Sequence, residues 1–171
     1  IINSEEGHIV NTSSINGFWA SLGGTPHTSY SAAKFAVKGF SEALIDDLRV
    51  NAPHVDVSVV MPGHIGTSIA ENTGKIIGGI KTEEDLEKVK ENMIKMGMPV
   101  HNFTPEQIKQ QIKENAEAFK NNAPTTSAEA ADVILSAVKK KQWRILVGDD
   151  AKAIDEWVRS APENAFNIHY N

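Results

Sequence analysis

Apolar positions along this chain change period several times, and the changes mark its elements. His8-Ile9-Val10-Asn11-Thr12-Ser13 is short and β-prone, with Gly7 before it and Gly17 and the Gly23-Gly24-Thr25-Pro26 cluster behind it. A strand followed by a long loop is predicted there. From Ser29 to Asn51 the recurrence becomes helical, with Ala33, Val37, Phe40, Ala43, Leu44 and Leu48 on one side and Pro53 as terminator. Val55 to Met61 reads VDVSVVM, nearly all β-branched and apolar, as in a strand covered on both faces of a parallel sheet. Pro62-Gly63 stops it. Strand, long helix and strand suit a right-handed crossover between parallel neighbours, so the fold class is α/β, one unit of a doubly wound parallel sheet.

Further on, Thr82 and Asp85 open a helix whose stripe is Leu86, Val89, Met93 and Met96, ended by Gly97 and Pro99. Thr104, with Pro105 at the first helical position and Gln107 three after the cap, makes a capping box for a second helix with Ile108, Ile112, Ala116 and Phe119 inside. Eight acidic and seven basic residues between Lys81 and Asn121 make this pair highly charged outside and thinly apolar inside. Residues 68–125 are therefore expected to form a mobile, solvent-facing helical insertion. Thr126 and Glu129 form another capping box, opening a helix whose inner side is Ala130, Val133, Ile134, Ala137 and Val138. Lys139-Lys140-Lys141 falls at the negative end of its dipole and reads as a solvated helix end. Arg144 to Val147 is a last strand, stopped by Gly148, and Ala151 to Ser160 a last helix.

The 171 residues are enough for one domain, 1–171, and too few for a two-domain enzyme. The chain enters its first strand within a few residues of Ile1, without a starting Met or a signal peptide, so a fragment of a longer chain is expected. A balance of 40% hydrophobic and 23% charged residues is globular, and a net charge of -5 lacks the positive field that gathers nucleic acid or anionic lipid. No apolar run reaches the ~18 residues of a membrane helix. The absence of cysteine excludes a disulfide scaffold and a thiolate site and fits a reducing, cytoplasmic setting. The six histidines are scattered without ligand spacing, so no metal site is expected; His27 and His64 read as solvated loop residues near the motifs below.

Those motifs centre on Tyr30 and Lys34, four residues apart and stacked on one helical face. They follow a Gly-rich loop at the carboxyl edge of the predicted sheet, where open α/β folds keep their ligands. A free tyrosine has a pKa of about 10 and relays protons poorly at neutral pH. A Lys ammonium one turn away favours the phenolate, and a shift of about 3 units asks for roughly 4 kcal/mol of differential interaction. A neutral hydroxyl donating to a developing oxyanion would complete the site, and Ser14 or Ser13 at the end of the preceding strand can supply it.

Gly-x-Ile-Val-Asn-x-Ser-Ser from Gly7 to Ser14, Tyr-x-x-x-Lys from Tyr30 to Lys34, and Pro62-Gly63, in this order, resemble the short-chain dehydrogenase/reductase family. The likeness runs from Gly7 to Thr67 and, more loosely, through Arg144 to Gly148. It implies the carboxyl-terminal portion of a Rossmann-like fold. It also implies an NAD- or NADP-dependent interconversion of a small-molecule secondary alcohol and ketone, and a homodimer or homotetramer packed through the Tyr30 helix. By this resemblance Tyr30 is the general acid/base. Lys34 lowers its pKa and binds the nicotinamide ribose, and Ser14 holds the substrate oxygen while Ser13 points to the opposite face of the strand. Pro62, Gly63, Ile65 and Thr67 resemble the segment along the nicotinamide and its phosphates, and 68–125 becomes a substrate-covering insertion.

The family's Gly-rich phosphate-binding turn and its selector of NAD or NADP lie upstream of the matched part. Asn11 belongs to the strand motif and does not replace the family's relay asparagine. The loop Ile15 to Ser29 is longer than the family's, and its Phe18, Trp19 and Leu22 either line a substrate pocket or anchor the loop. Met93, Met96 and Met98 are read as a pliable lid over an apolar ligand, ahead of the ordinary gap-filling role of methionine in helices. The rival reading is a catalytically silent fragment or binding module that keeps the scaffold and lacks the cofactor half.

Overall fold

A computed structural model describes residues 1, 3–20, 27–76 and 79–164. They fall into two compact units, Ile1–Ile65 with Pro124 onward, and Gly66–Ala123. In the first, strands β1 (Gly7–Thr12), β2 (Val55–Pro62) and β5 (Arg144–Val147) form a parallel sheet in the order β1-β2-β5. Its register pairs Asn11 with Val59 and Met61 with Leu146. Helix α1 (Thr28–Asn51) joins β1 to β2, as the alternation of patterns predicts. The two-residue strands β3 (Ile65–Gly66) and β4 (Thr125–Thr126) pair with each other. Helix α5 (Ser127–Lys139) leads into β5, and α6 (Asp149–Ser160) follows it.

Side-chain alternation puts helices on both faces of this sheet. On one face Val60 packs with Ile145 and Val147 against Ala130, Ala137, Ile134 and Val138 of α5. On the other, Asn11, in register with Val59, donates from Nδ2 to Ser41 Oγ of α1 at 3.0 Å. β2 is consequently buried along nearly its whole length, which is why it carries no charge except Asp56 near its start.

The expected inner stripe of α1 needs correction. Its two buried residues are Ser31 and Ser41, while Ala33, Ala43 and Phe40 are exposed, Phe40 to 61%. Ser41 meets Asn11 of β1, and its Oγ donates back to the Val37 carbonyl at 2.7 Å, so it brings no unsatisfied donor. Val133 of α5 likewise faces outward, although it fits the helical period.

The second unit holds α2 (Ile69–Ile76), α3 (Glu83–Lys95) and α4 (Pro105–Asn121). It has a core of its own, with Leu86, Met93, Val100 and Ile108 buried and Ile80, Val89, Met98, Phe103 and Ile112 packed against them. The interior is therefore fuller than the charge count suggests. Met93 and Met98 are core filler and Met96 is 58% exposed at the end of α3, so two of the three methionines proposed for a lid face inward.

Candidate active site

A parallel sheet brings the carboxyl ends of all its strands to one edge, and the predicted motifs of the first unit collect there. β1 runs out at Thr12, and the next two residues are serines with different tasks. Ser13 Oγ, buried, donates to the Lys34 carbonyl at 2.7 Å, and its amide donates to Val60 O at 2.8 Å. Ser14 is extended, and its Oγ accepts the Asn16 amide at 3.2 Å, capping a short 3-10 turn, Ile15–Gly17. The turn sits so close to α1 that a Cβ on Gly17 would overlap Ser13 Oγ and crowd the Lys34 carbonyl. Glycine is the residue this approach admits.

Tyr30 and Lys34 occupy the first turns of α1. Lys34 Nζ donates to the Thr12 carbonyl at 3.1 Å and stands 5.5 Å from the centre of the Tyr30 ring, within cation–π range. Helical spacing and the exposed strand-end carbonyl thus fix the ammonium beneath the phenol. The Tyr30 side chain is 44% exposed, and the His27 ring meets it edge-on at 6.2 Å. Among the described residues no hydrogen bond joins Ser14 to Tyr30.

Pro62 ends β2 and Gly63 follows, its amide donating to the Val147 carbonyl at 2.9 Å. The next amide, of His64, donates to Asp150 Oδ2 at 2.7 Å. Ile65 opens β3, whereas Thr67 belongs to the helical unit, half-buried before α2. Gly17 and Asp150 are the site-building residues that sequence reasoning missed. The signals were the glycine three residues after the Ser pair and an acidic residue just beyond the strand-ending Gly148.

Of the two readings for the loop residues, the structure shows anchoring contacts for Phe18 and Trp19. The Arg144 guanidinium lies 5.6 Å from the Phe18 ring centre, and Trp19, 6% exposed, meets Trp157 of α6 edge-on at 5.2 Å. Leu22 lies outside the described residues, as does His169. Beneath this contact Arg144 forms a two-pronged pair with Asp155, Nη1 to Oδ2 at 3.0 Å, and Arg159 Nε adds a bond to Oδ1 at 3.0 Å. The hydrogen bond from Arg144 holds the Asp155 carboxyl below the usual carboxylate range, with Arg159 helping and burial opposing.

Chemically the arrangement offers an accessible phenol, a fixed ammonium and a strand-end hydroxyl. The residues present fit a nicotinamide cofactor. Among the described residues one of the three Lys34 N–H donors is used, on Thr12, leaving two for ligand hydroxyls, and the exposed phenol can be reached. Among the described residues no group of three or more metal-ligating side chains occurs, and no helix is long and apolar enough to cross a membrane. In the helical unit, Ile80, Val89 and Ile112 help line a pocket of about 590 Å³ rimmed by Asp85 and Lys88.

Comparison with known proteins bears on the family and the fold. The model of the short chain dehydrogenase family matches residues 1–77. SadH of Mycobacterium tuberculosis is 35% identical over 160 residues, 93% of this chain and 46% of that protein. A 3-ketodihydrosphingosine reductase of Bacteroides thetaiotaomicron is 43% identical over 70 residues, 40% of this chain and 24% of that protein. A solved short-chain dehydrogenase/reductase from Burkholderia phymatum, in complex with NAD, superposes with a TM-score of 0.60 at 22% identity. It covers 94% of this chain and 48% of that one, and at that identity it speaks to the fold. The chain spans about half the length of SadH and of this solved structure.

Proposed function

The chain belongs to the short-chain dehydrogenase/reductase family, and on that premise we propose that the protein interconverts a secondary alcohol and a ketone with NAD or NADP. The observation that carries this reading is the Tyr30–Lys34 pair on one helical turn, its ammonium bonded to Thr12 at the carboxyl edge of the sheet. The nicotinamide, when bound, supplies the hydride acceptor for oxidation or the hydride donor for reduction. In the oxidative direction the carbinol carbon loses a hydride, and the hydroxyl proton passes to the Tyr30 phenolate; reduction returns both. Lys34 stabilises that phenolate and, with its two unused donors, holds ribose hydroxyls. Ser14 turns its hydroxyl from Asn16 toward the substrate oxygen, where it donates to the charge that develops there. Pro62, Gly63, Ile65 and Thr67 are assigned to the nicotinamide side. Exposed Phe35 and Phe40 on α1 support packing against a second copy in a homodimer or homotetramer.

Tyr30→Phe in the full-length protein tests the assignment. Turnover should fall about a hundred- to ten-thousand-fold, the usual weight of general acid/base catalysis, while titration of NAD and NADP shows affinity nearly unchanged. Lys34→Ala should lower both rate and cofactor affinity. Normal turnover by Tyr30→Phe would remove Tyr30 from the proton transfer.

A further inference from the structure

Asp150 is a half-buried carboxylate at the carboxyl edge of the sheet. It is the second residue of α6, and its carboxylate turns back over the carboxyl ends of β2 and β5 to accept the His64 amide at 2.7 Å. Two glycines make room for it. A Cβ on Gly63 would overlap both carboxylate oxygens, and a Cβ on Gly148 would overlap Oδ1. Gly148 also has a φ of 100°, a conformation that side-chain-bearing residues rarely take. Oδ1 is buried and has no hydrogen-bond partner among the described residues. Burying a carboxylate oxygen without a partner costs free energy, and a smaller or apolar residue here would avoid that cost.

What the arrangement achieves is control of one backbone turn. The Gly63 amide is held from the β5 side by the Val147 carbonyl, and the His64 amide from the α6 side by Asp150. With consecutive peptide groups tied to two elements, the chain keeps a fixed direction through Gly63 and His64, just past the last ladder pair at Pro62. The start of α6 favours the negative charge, since the free amides of a helix's first turn carry partial positive charge.

We infer that Asp150 is a positioning residue, which holds the Pro62–Gly63–His64 turn in the conformation that receives the nicotinamide side of the cofactor. The inference rests on the proposed function for what the turn receives; the latch itself rests on the contacts just given. Carboxylate identity is secondary, because the His64 amide needs an acceptor at that point and any side-chain oxygen of the same reach supplies it.

The test compares Asp150→Ala and Asp150→Asn with the parent in the full-length protein, by amide hydrogen exchange at His64 and by titration with NAD and NADP. Asp150→Ala should speed His64 exchange and weaken binding of whichever nucleotide the parent takes about tenfold, the weight of one hydrogen bond to a charged group. Amides of β2 should keep their protection. Asp150→Asn, which retains an acceptor oxygen, should restore His64 protection and most of the affinity. Should Asp150→Ala fail to fold, Asp150→Ser, too short to reach His64, takes its place. Faster exchange with undiminished nucleotide affinity overturns the positioning role and leaves the proposed function standing. An Asn variant that behaves like Ala overturns it too, since charge at the helix start would then be the cause. A parent that binds neither nucleotide overturns the proposed function and, with it, the positioning role; the His64 exchange of Asp150→Ala still shows whether the latch exists.

Discussion

Asp155 is the most deeply placed carboxylate contact in the sheet unit, and its charge is supported from two sides. Arg144 from β5 and Arg159 one helical turn on both donate to it, with the Arg144 and Asp155 side chains 13% and 12% exposed. A pair this dry is costly to break, because removing one partner strands the other charge. Arg144→Ala should destabilise the protein by about 3 kcal/mol in urea unfolding, the low end for such a loss because Arg159 remains. The pH dependence has a definite sign. The folded carboxyl is held below its ordinary value, so the stability it contributes is complete above the unfolded pKa of about 3.9 and is lost as pH falls through the lower folded value. The stability gap between the parent and Asp155→Asn should therefore be widest near neutral pH and narrow below about pH 4. A gap unchanged between pH 7 and pH 3 would show that Asp155 acts through packing instead.

Among the elements, helix starts were the most legible. Thr82 with Asp85, Thr104 with Gln107 and Thr126 with Glu129 each form the reciprocal box that their spacing announces. In the last, Thr126 Oγ1 accepts the Glu129 amide at 3.2 Å, while the Glu129 carboxylate accepts the Thr126 amide and is held below its usual pKa by it. Thr126→Ala should cost about 1 kcal/mol and lower the thermal midpoint, with the far-UV spectrum unchanged below it. A capping box is legible because its whole mechanism spans four residues. β2 was legible for a similar reason, since burial on both faces leaves a continuous apolar run. By contrast, α2 is only eight residues long and buries none of them, and the 3-10 turn at Ile15 is shorter than any period. Strands of two residues such as β3 and β4 leave no pattern either. In the candidate site, Tyr30 and Lys34 share a helix and could be paired from spacing alone. Asp150 meets His64 across 86 positions, a distance at which no local pattern speaks. The same limit explains α1, whose hydrogen bond with β1 runs through Ser41, a residue that a hydrophobic count passes over.

At the scale of the molecule, the described residues build two hydrophobic clusters with no residue in common. One joins Val60, Ile145 and Val147 to α5, and the other joins Leu86, Met93, Val100 and Ile108 within Gly66–Ala123. Cooperativity comes from shared burial, so separate clusters imply local opening free energies that move separately. Ile108 is 1% exposed, and Ile108→Ala removes three carbons from the middle of the helical cluster, a change worth about 2–5 kcal/mol. Native-state hydrogen exchange should show that loss in the amides of α3 and α4, while the slowest amides of β2 keep their protection. Val60→Ala should do the reverse, lowering β2 and β5 and sparing α4. If Ile108→Ala instead lowers both sets by the same amount, the two clusters open as one cooperative unit. Helical and sheet units would then respond together to any ligand that either one binds, because stabilising one would stabilise the other by the same free energy.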